Sequence, residues 1–304
     1  MNTPISVDAA ALRGTVLAEF FGLLGLAEAH PLRRALTRLL SPAIGRFTDL
    51  LAKFDSDVVA QGLPAAIGPL LARFVDEVTA VGVDLLPRTG PLLLVSNHPG
   101  AYDVLASVAQ LPRADVRVVV SEISILRQLP AAYPQFILIG QTEHTRMAAT
   151  RAMLRQLRDG GVLFIFPGRL VDPDPAFMPG AAAALQRWSS SLELFLRRVP
   201  ETQVVPIVAS GVLSPAWLRN PVTWLRQDPI DRQKVAEAAQ VIQQLLWPGS
   251  LHFHPLITFG PPLAAADLLR TDAPTRPLHA IVDHQRTLLA LHQHLRRTLP
   301  AFAG

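Results

Sequence analysis

Six short, nearly continuous apolar runs punctuate the chain from residue 91 onward: "PLLLVS" (91–96), "VRVVVS" (116–121), "FILIG" (136–140), "GVLFIFP" (161–167), "TQVVPIVA" (202–209) and "LHFHPLITFG" (251–260), the last interrupted by Pro255. Segments with helical spacing separate them, at 101–110, 146–158, 181–198 and 230–246. A strand covered on both faces is apolar throughout, whereas a half-exposed strand alternates. Repeated strand–helix alternation of this kind predicts an α/β fold with a mainly parallel central sheet flanked by helices. The 304 residues are enough for one such domain with an appended helical piece.

Residues 1–80 read as an N-terminal helical region. Leu12, Val16, Phe20 and Leu23 fall on one helical face, and Leu17, Phe21 and Leu24 widen it. Ser41 and Pro42 match an N-cap and a first helical position, so a new helix is expected there, with Ile44, Phe47, Leu50 and Leu51 inward. A further helix over 63–80 carries Leu70, Leu71, Phe74 and Val75, and a last one spans about 277–298. The expected division is 1–80, a core domain over 81–270, and a packed C-terminal helix in 271–304. The loop "DPDPAFMP" (172–179) has the composition of a functional or lid loop.

Composition narrows the function. Without cysteine, disulfides, thiolate catalysis and cysteine-ligated zinc are excluded. No uninterrupted apolar run reaches the ~18 residues of a spanning helix, since "GTVLAEFFGLLGLAEA" (14–29) is short and carries Glu19 and Glu28. The start has neither the basic segment nor the small-residue cleavage site of a secretory signal. A net charge of +4, mostly from arginine, suits acidic partners. With 6% aromatic residues and no dense basic block, nucleic acid is not expected among them.

The chemistry concentrates in "SNHPGAYDV" (96–104). Asn97 and His98 leave the carboxyl end of the run "PLLLV", and Pro99 disfavours helical angles at His98. Asp103 therefore falls in the first turn of the following helix. Open α/β sheets bind ligands outside the strand carboxyl ends. There, one imidazole nitrogen can donate to Asp103, leaving the other to take a proton as a general base. Alternatively, His98 caps a helix and Asp103 sits at its positive end.

Taken with "FILIGQTEHTR", "LRDGGVLFIFPGR" and "VVPIVASG" in that order, this stretch resembles the glycerolipid acyltransferase superfamily. The blocks of that family are written N-H-x4-D, G-x-x-F-I-D-R, F-P-E-G-T-R-S and V-x-P-V/I. The resemblance covers roughly 80–215, close for the first and fourth blocks and partial for the middle two. Gly140 and Gln141 replace an Asp-Arg pair, and Gly168 stands where the family has glutamate. The resemblance implies fatty acyl transfer from a thioester of coenzyme A or acyl carrier protein, as co-substrate, onto the hydroxyl of a lysophospholipid or glycerol phosphate. His98 would be the base and Asp103 its partner, with no bound cofactor and no metal. It further implies substrate contacts from Asn97, Gly100, Gln141, Arg146, Pro167, Gly168 and Arg169, with Arg151 as another candidate for phosphate. Backbone N–H groups at Gly100 or the "FPG" turn would hold the oxyanion. A lipid acceptor implies a membrane surface, here the inner face reached from the cytoplasm, with Arg33, Arg34, Arg38 and Arg46 beside the apolar stripes. The altered middle blocks leave open a different acceptor, or a non-catalytic lipid-binding protein.

Other features carry less. Ser96 lacks the G-x-S-x-G setting of a hydrolase nucleophile. His252 and His254 share one strand face, with no third metal ligand evident in the sequence, and His292 and His294 diverge on a helix. Gly160-Gly161 reads as a helix-to-strand turn. Trp217 and Trp224 are core, tunnel-lining or interfacial residues.

Overall fold

The computed structural model describes residues 7–23, 31–100, 102–121, 123–168, 170–270 and 277–302. Three helices open the chain: α1 (Ala9–Leu23), α2 (Pro31–Gln61) and α3 (Leu63–Leu71). The alternating part follows as β1 (Thr79–Val81), β2 (Leu92–Ser96), α4 (Asp103–Val108), β3 (Val116–Ser121), β4 (Phe136–Ile139), α5 (Glu143–Arg158) and β5 (Val162–Ile165). After it come α6 (Ala181–Ala184), α7 (Ser191–Arg198), β6 (Gln203–Ser210), α8 (Pro215–Leu218) and α9 (Pro229–Leu246). The chain closes with β7 (Leu256–Phe259), β8 (Leu263–Ala264), α10 (Ala265–Arg270) and α11 (Pro277–Thr298).

The sheet is mixed but mostly parallel, in the order β1-β7-β6-β2-β5-β3-β4 with β8 on β6. β2 lies between β5 and β6 and is parallel to both, while β7 and β8 run antiparallel to β6. Side chains of β2 alternate between two buried layers. Leu92 and Leu94 join Leu12, Ile44, Ile67 and Tyr102 on one face. Leu93 and Val95 join Met153, Leu157, Phe195 and Ile281 on the other. Because both layers are dry, β2 has no polar position before its carboxyl end.

Three helical expectations are corrected. No new helix starts at Ser41-Pro42, because α2 runs through with Pro42 inside it. Leu40, Ile44, Leu51, Phe54 and Val58 form one buried stripe across the proline, and that packing outweighs the lost hydrogen bond. The helix expected over 63–80 ends at Leu71; Phe74 and Val75 are buried in a turn, and 79–81 is an edge strand parallel to β7. Segment 181–198 is broken into α6, a 3-10 turn at Leu185–Arg187, and α7. Leu24 lies outside the described residues.

Candidate active site

β2 delivers Asn97 and His98 at the centre of the sheet, where the chain leaves toward α4. Asn97, 5% exposed, extends the sheet beyond its last paired residue. Its Nδ2 donates to the Ala209 carbonyl at 2.9 Å and its Oδ1 accepts the Ala209 N–H at 2.8 Å. Both ends of the amide are thus bound to β6 backbone, and the side chain anchors the loop that carries His98.

His98 Nδ1 and Asp103 Oδ2 lie 2.8 Å apart. The imidazole is about a third exposed (33%), whereas the carboxylate is fully buried. The same carboxylate oxygen accepts the Gly100 N–H at 3.1 Å, and Oδ1 accepts the Val104 N–H. A carboxylate with these three donors has one orientation available. It therefore holds Nδ1 as the protonated nitrogen and leaves Nε2 for chemistry. Phe166, just past β5, stacks on the ring with centroids 4.2 Å apart. Burial lowers the His98 pKa and is the largest single influence. The charge and hydrogen bond of Asp103, then the charges of Glu237 and Asp172, outweigh it and raise the value to about 9.

Around the dyad the loop 172–179 is marked in the sequence only by composition, and the contributing residues of α9 carry no sequence signal. The loop after β5 returns Asp172 to His98, where its Oδ2 accepts the His98 N–H at 3.0 Å. Asp174 is fully buried and caps the loop after β6, accepting from Gly211 N and Val212 N as well as Ala176 N. Two buried carboxylates thus pin the segment read as a lid. Gln233 of α9 donates to the carbonyls of both Pro99 and Asp172, each at 2.8 Å. Glu237 approaches Gly100, where a Cβ would sit 3.7 Å from its carboxyl carbon and 3.1 Å from Leu213. Tyr102 donates to Gln244 at 2.7 Å; burial and the charge of Glu237 push its phenol well up.

The other sequence candidates divide between this site and the sheet edge. The Gly100 N–H is committed to Asp103 and is not an oxyanion donor. Pro167 and Gly168 lie next to the stacked Phe166, and Gly168 is packed near the Asp172 carboxylate. Gln141 and Arg146 sit after β4, at the sheet edge and three strands from β2, or about 14 Å at ordinary strand spacing. Both are exposed, and Arg146 folds back to donate to the Gln141 carbonyl at 2.8 Å. Arg151 is exposed on α5, and Arg169 lies outside the described residues. His252 and His254 both approach Asp76, at 3.3 and 3.8 Å, on the surface. Among the described residues, no group of three or more such side chains is arranged to hold a metal ion. His292 is buried between Thr258 and Ser210.

Helices α1, α2 and α9 border an apolar groove of about 330 Å³, lined by Phe20, Ile44, Phe47, Val241, Ile242 and Leu245. Glu237 belongs to this lining and so joins the groove to the His98 loop. Among the described residues, no helix is long and apolar enough to cross a membrane.

No family model matches the chain, and no curated protein sequence matches it. Among solved structures, it is similar to the 1-acyl-sn-glycerophosphate (LPA) acyltransferase PlsC from Thermotoga maritima. Identity is 12%, the alignment covers 93% of this chain and 95% of that one, and the TM-score is 0.42.

Proposed function

We propose that the protein is an O-acyltransferase that moves a fatty acyl group from a coenzyme A or carrier-protein thioester to a lipid hydroxyl. The observation that carries this reading is the dyad: a fully buried Asp103 bonded to Nδ1 of a partly exposed His98 at the carboxyl end of the central strand. An alcohol is a weak nucleophile at neutral pH. His98 Nε2 takes its proton as the oxygen attacks the thioester carbonyl, and Asp103 balances the imidazolium that forms. A positioned base of this kind contributes ~10²–10⁴-fold in rate. Collapse of the tetrahedral adduct expels the thiolate, which takes the proton from His98. With the Gly100 N–H committed and Pro167 lacking one, Gly168 N–H is the donor assigned to the oxyanion.

The acyl chain of the donor runs into the groove between α1, α2 and α9, which follows α9 from Glu237 to Leu246, about 13 Å. Each methylene seated there contributes about 0.8 kcal/mol. The acid faces the histidine, which favours the enzyme over a non-catalytic lipid binder, in which it would be turned away. The acceptor is the hydroxyl of a lysophospholipid, of glycerol phosphate or of another lipid or metabolite. With Gln141 and Arg146 at the sheet edge, a phosphate near His98 would have to be held by other residues. A membrane supplies it. Arg34 and Arg38 are exposed on α2 for that contact, while Arg33 lies over the Phe21 ring and Arg46 donates to the Leu245 carbonyl.

The decisive experiment is thiol release from long-chain acyl-CoA and acyl carrier protein thioesters, with product masses, for wild type and His98→Ala. Lysophosphatidic acid, glycerol 3-phosphate and a mixed lysolipid panel serve as acceptors. Acceptor-dependent release that disappears in the variant supports the transferase. No release with either donor, from folded wild type, refutes it.

A further inference from the structure

Three carboxylates act on His98: Asp103 from α4, Glu237 from α9 and Asp172 from the loop after β5. Asp103 orients the ring. Asp172 holds the backbone of the same residue from the opposite direction. Its N–H donates to the His98 carbonyl at 2.7 Å, and its Oδ2 accepts the His98 N–H at 3.0 Å. This closed, two-way pairing fixes both peptide groups of His98. The second carboxylate oxygen accepts from Arg187, in the 3-10 turn before α7, at 2.9 Å. Gln233 then ties the Asp172 carbonyl to that of Pro99.

Burial of a carboxylate is costly unless its oxygens are bonded. Burial pushes the Asp172 carboxyl up, against the pull of the His98 N–H, Arg187 and the His98 charge. A loop needing only a turn at this position could use a small neutral residue and avoid that cost. We propose that Asp172, clamped by Arg187, is a positioning residue for His98, fixing its backbone through both peptide groups. This role rests on reading His98 as the transfer base. The loop after β5 is thereby a brace, and the dyad is held from two sides.

The test is titration of the histidine imidazoles by NMR in the full chain, with the His98 signal assigned by its loss in His98→Gln. Asp172→Asn keeps an oxygen to accept the His98 N–H but removes the charge, so the His98 midpoint should fall, by less than loss of the Asp103 charge would lower it. Asp172→Ala also removes the acceptor, and kcat for acyl transfer should fall about ten- to a hundredfold with KM nearly unchanged. A purely structural residue would lower thermal stability and leave the titration where it was. A folded Asp172→Asn protein whose His98 midpoint matches wild type therefore overturns the proposal. Should that variant not fold, Arg187→Gln decides. The carboxylate then loses the partner that clamps it, and the His98 backbone N–H should exchange with solvent at least about tenfold faster; an unchanged exchange rate in the folded variant overturns the proposal. Because this readout needs no turnover, it is separate from any failure of the transferase reading, which would show as absent thiol release.

Discussion

Asp103→Asn is the sharpest perturbation of the dyad. In wild type the carboxylate faces only donors: His98 Nδ1–H and Gly100 N–H at one oxygen, Val104 N–H at the other. An amide must turn its NH₂ toward one of these groups. Facing Val104, it sets donor against donor in a buried site, at about 1–3 kcal/mol. Facing His98, it meets Gly100 N–H and forces the proton onto Nε2, the nitrogen that must be free to accept one. The second arrangement removes the base, so kcat/KM should drop about 10³-fold, equivalent to about 4 kcal/mol of transition-state stabilisation. The pH profile gives an independent signature. In wild type, with His98 raised to about 9, roughly one imidazole in a hundred is neutral at pH 7, and the rate should climb steeply from pH 7 toward 9. Asp103 supplies the leading upward influences while burial pulls downward, so in the variant the limb should move well toward acid. The assay is continuous thiol release from acyl-CoA across this range, with a saturating acceptor. A folded Asp103→Asn enzyme within threefold of wild type at pH 8, or with an unmoved limb, would refute the dyad as drawn.

Further expectations concern the groove, the brace and the fold. Ala238→Phe fills part of the groove lining and should disfavour long acyl donors by about 2 kcal/mol, roughly thirtyfold against shorter ones, read as relative kcat/KM. Asp174→Ala leaves the N–H groups of Ala176, Gly211 and Val212 without their acceptor and should cost about 2–4 kcal/mol in urea unfolding. Gly82 has φ 83°, and a Cβ there would lie 2.3 Å from the Phe259 carbonyl oxygen, so Gly82→Ala should destabilise by about 2 kcal/mol or more. Protonated His98 favours the folded state below pH 6.5, and this contribution is lost as pH rises through about 9. The stability difference between wild type and His98→Gln should accordingly shrink across that window.

The layered fold was legible because it is written in local pattern. Runs such as "PLLLV" and "GVLFIF" are apolar at every position because both sheet faces are covered, and the helices between them carry their own spacing. For His98 and Asp103 the sequence offered two readings, a dyad or a helix cap; Pro99 and the strand-to-helix turn placed them near each other, and the fold joined them at 2.8 Å. Where the local signal was weak, tertiary packing decided. Pro42 marked a helix start, yet buried residues on both sides made one helix; Thr79–Val81 is too short to register as a strand until β7 pairs with it. The loop holding Asp172 and Asp174 had the composition of a functional or lid loop, but only the fold showed that their carboxylates face inward to His98 and to the turn after β6. Gln233 and Glu237 gave no sign of proximity to Gly100, more than a hundred residues earlier. Conversely, Gln141 and Arg146 had the right neighbours in sequence, but the strand order put them at the sheet edge. Sequence by itself determined the layers, which follow from local pattern, and it singled out His98 and Asp103 through their place after a strand and the order of the segments that follow. The brace, the groove and the charge around His98 depend on which distant segments meet, and strand order and side-chain packing set that only in the folded chain.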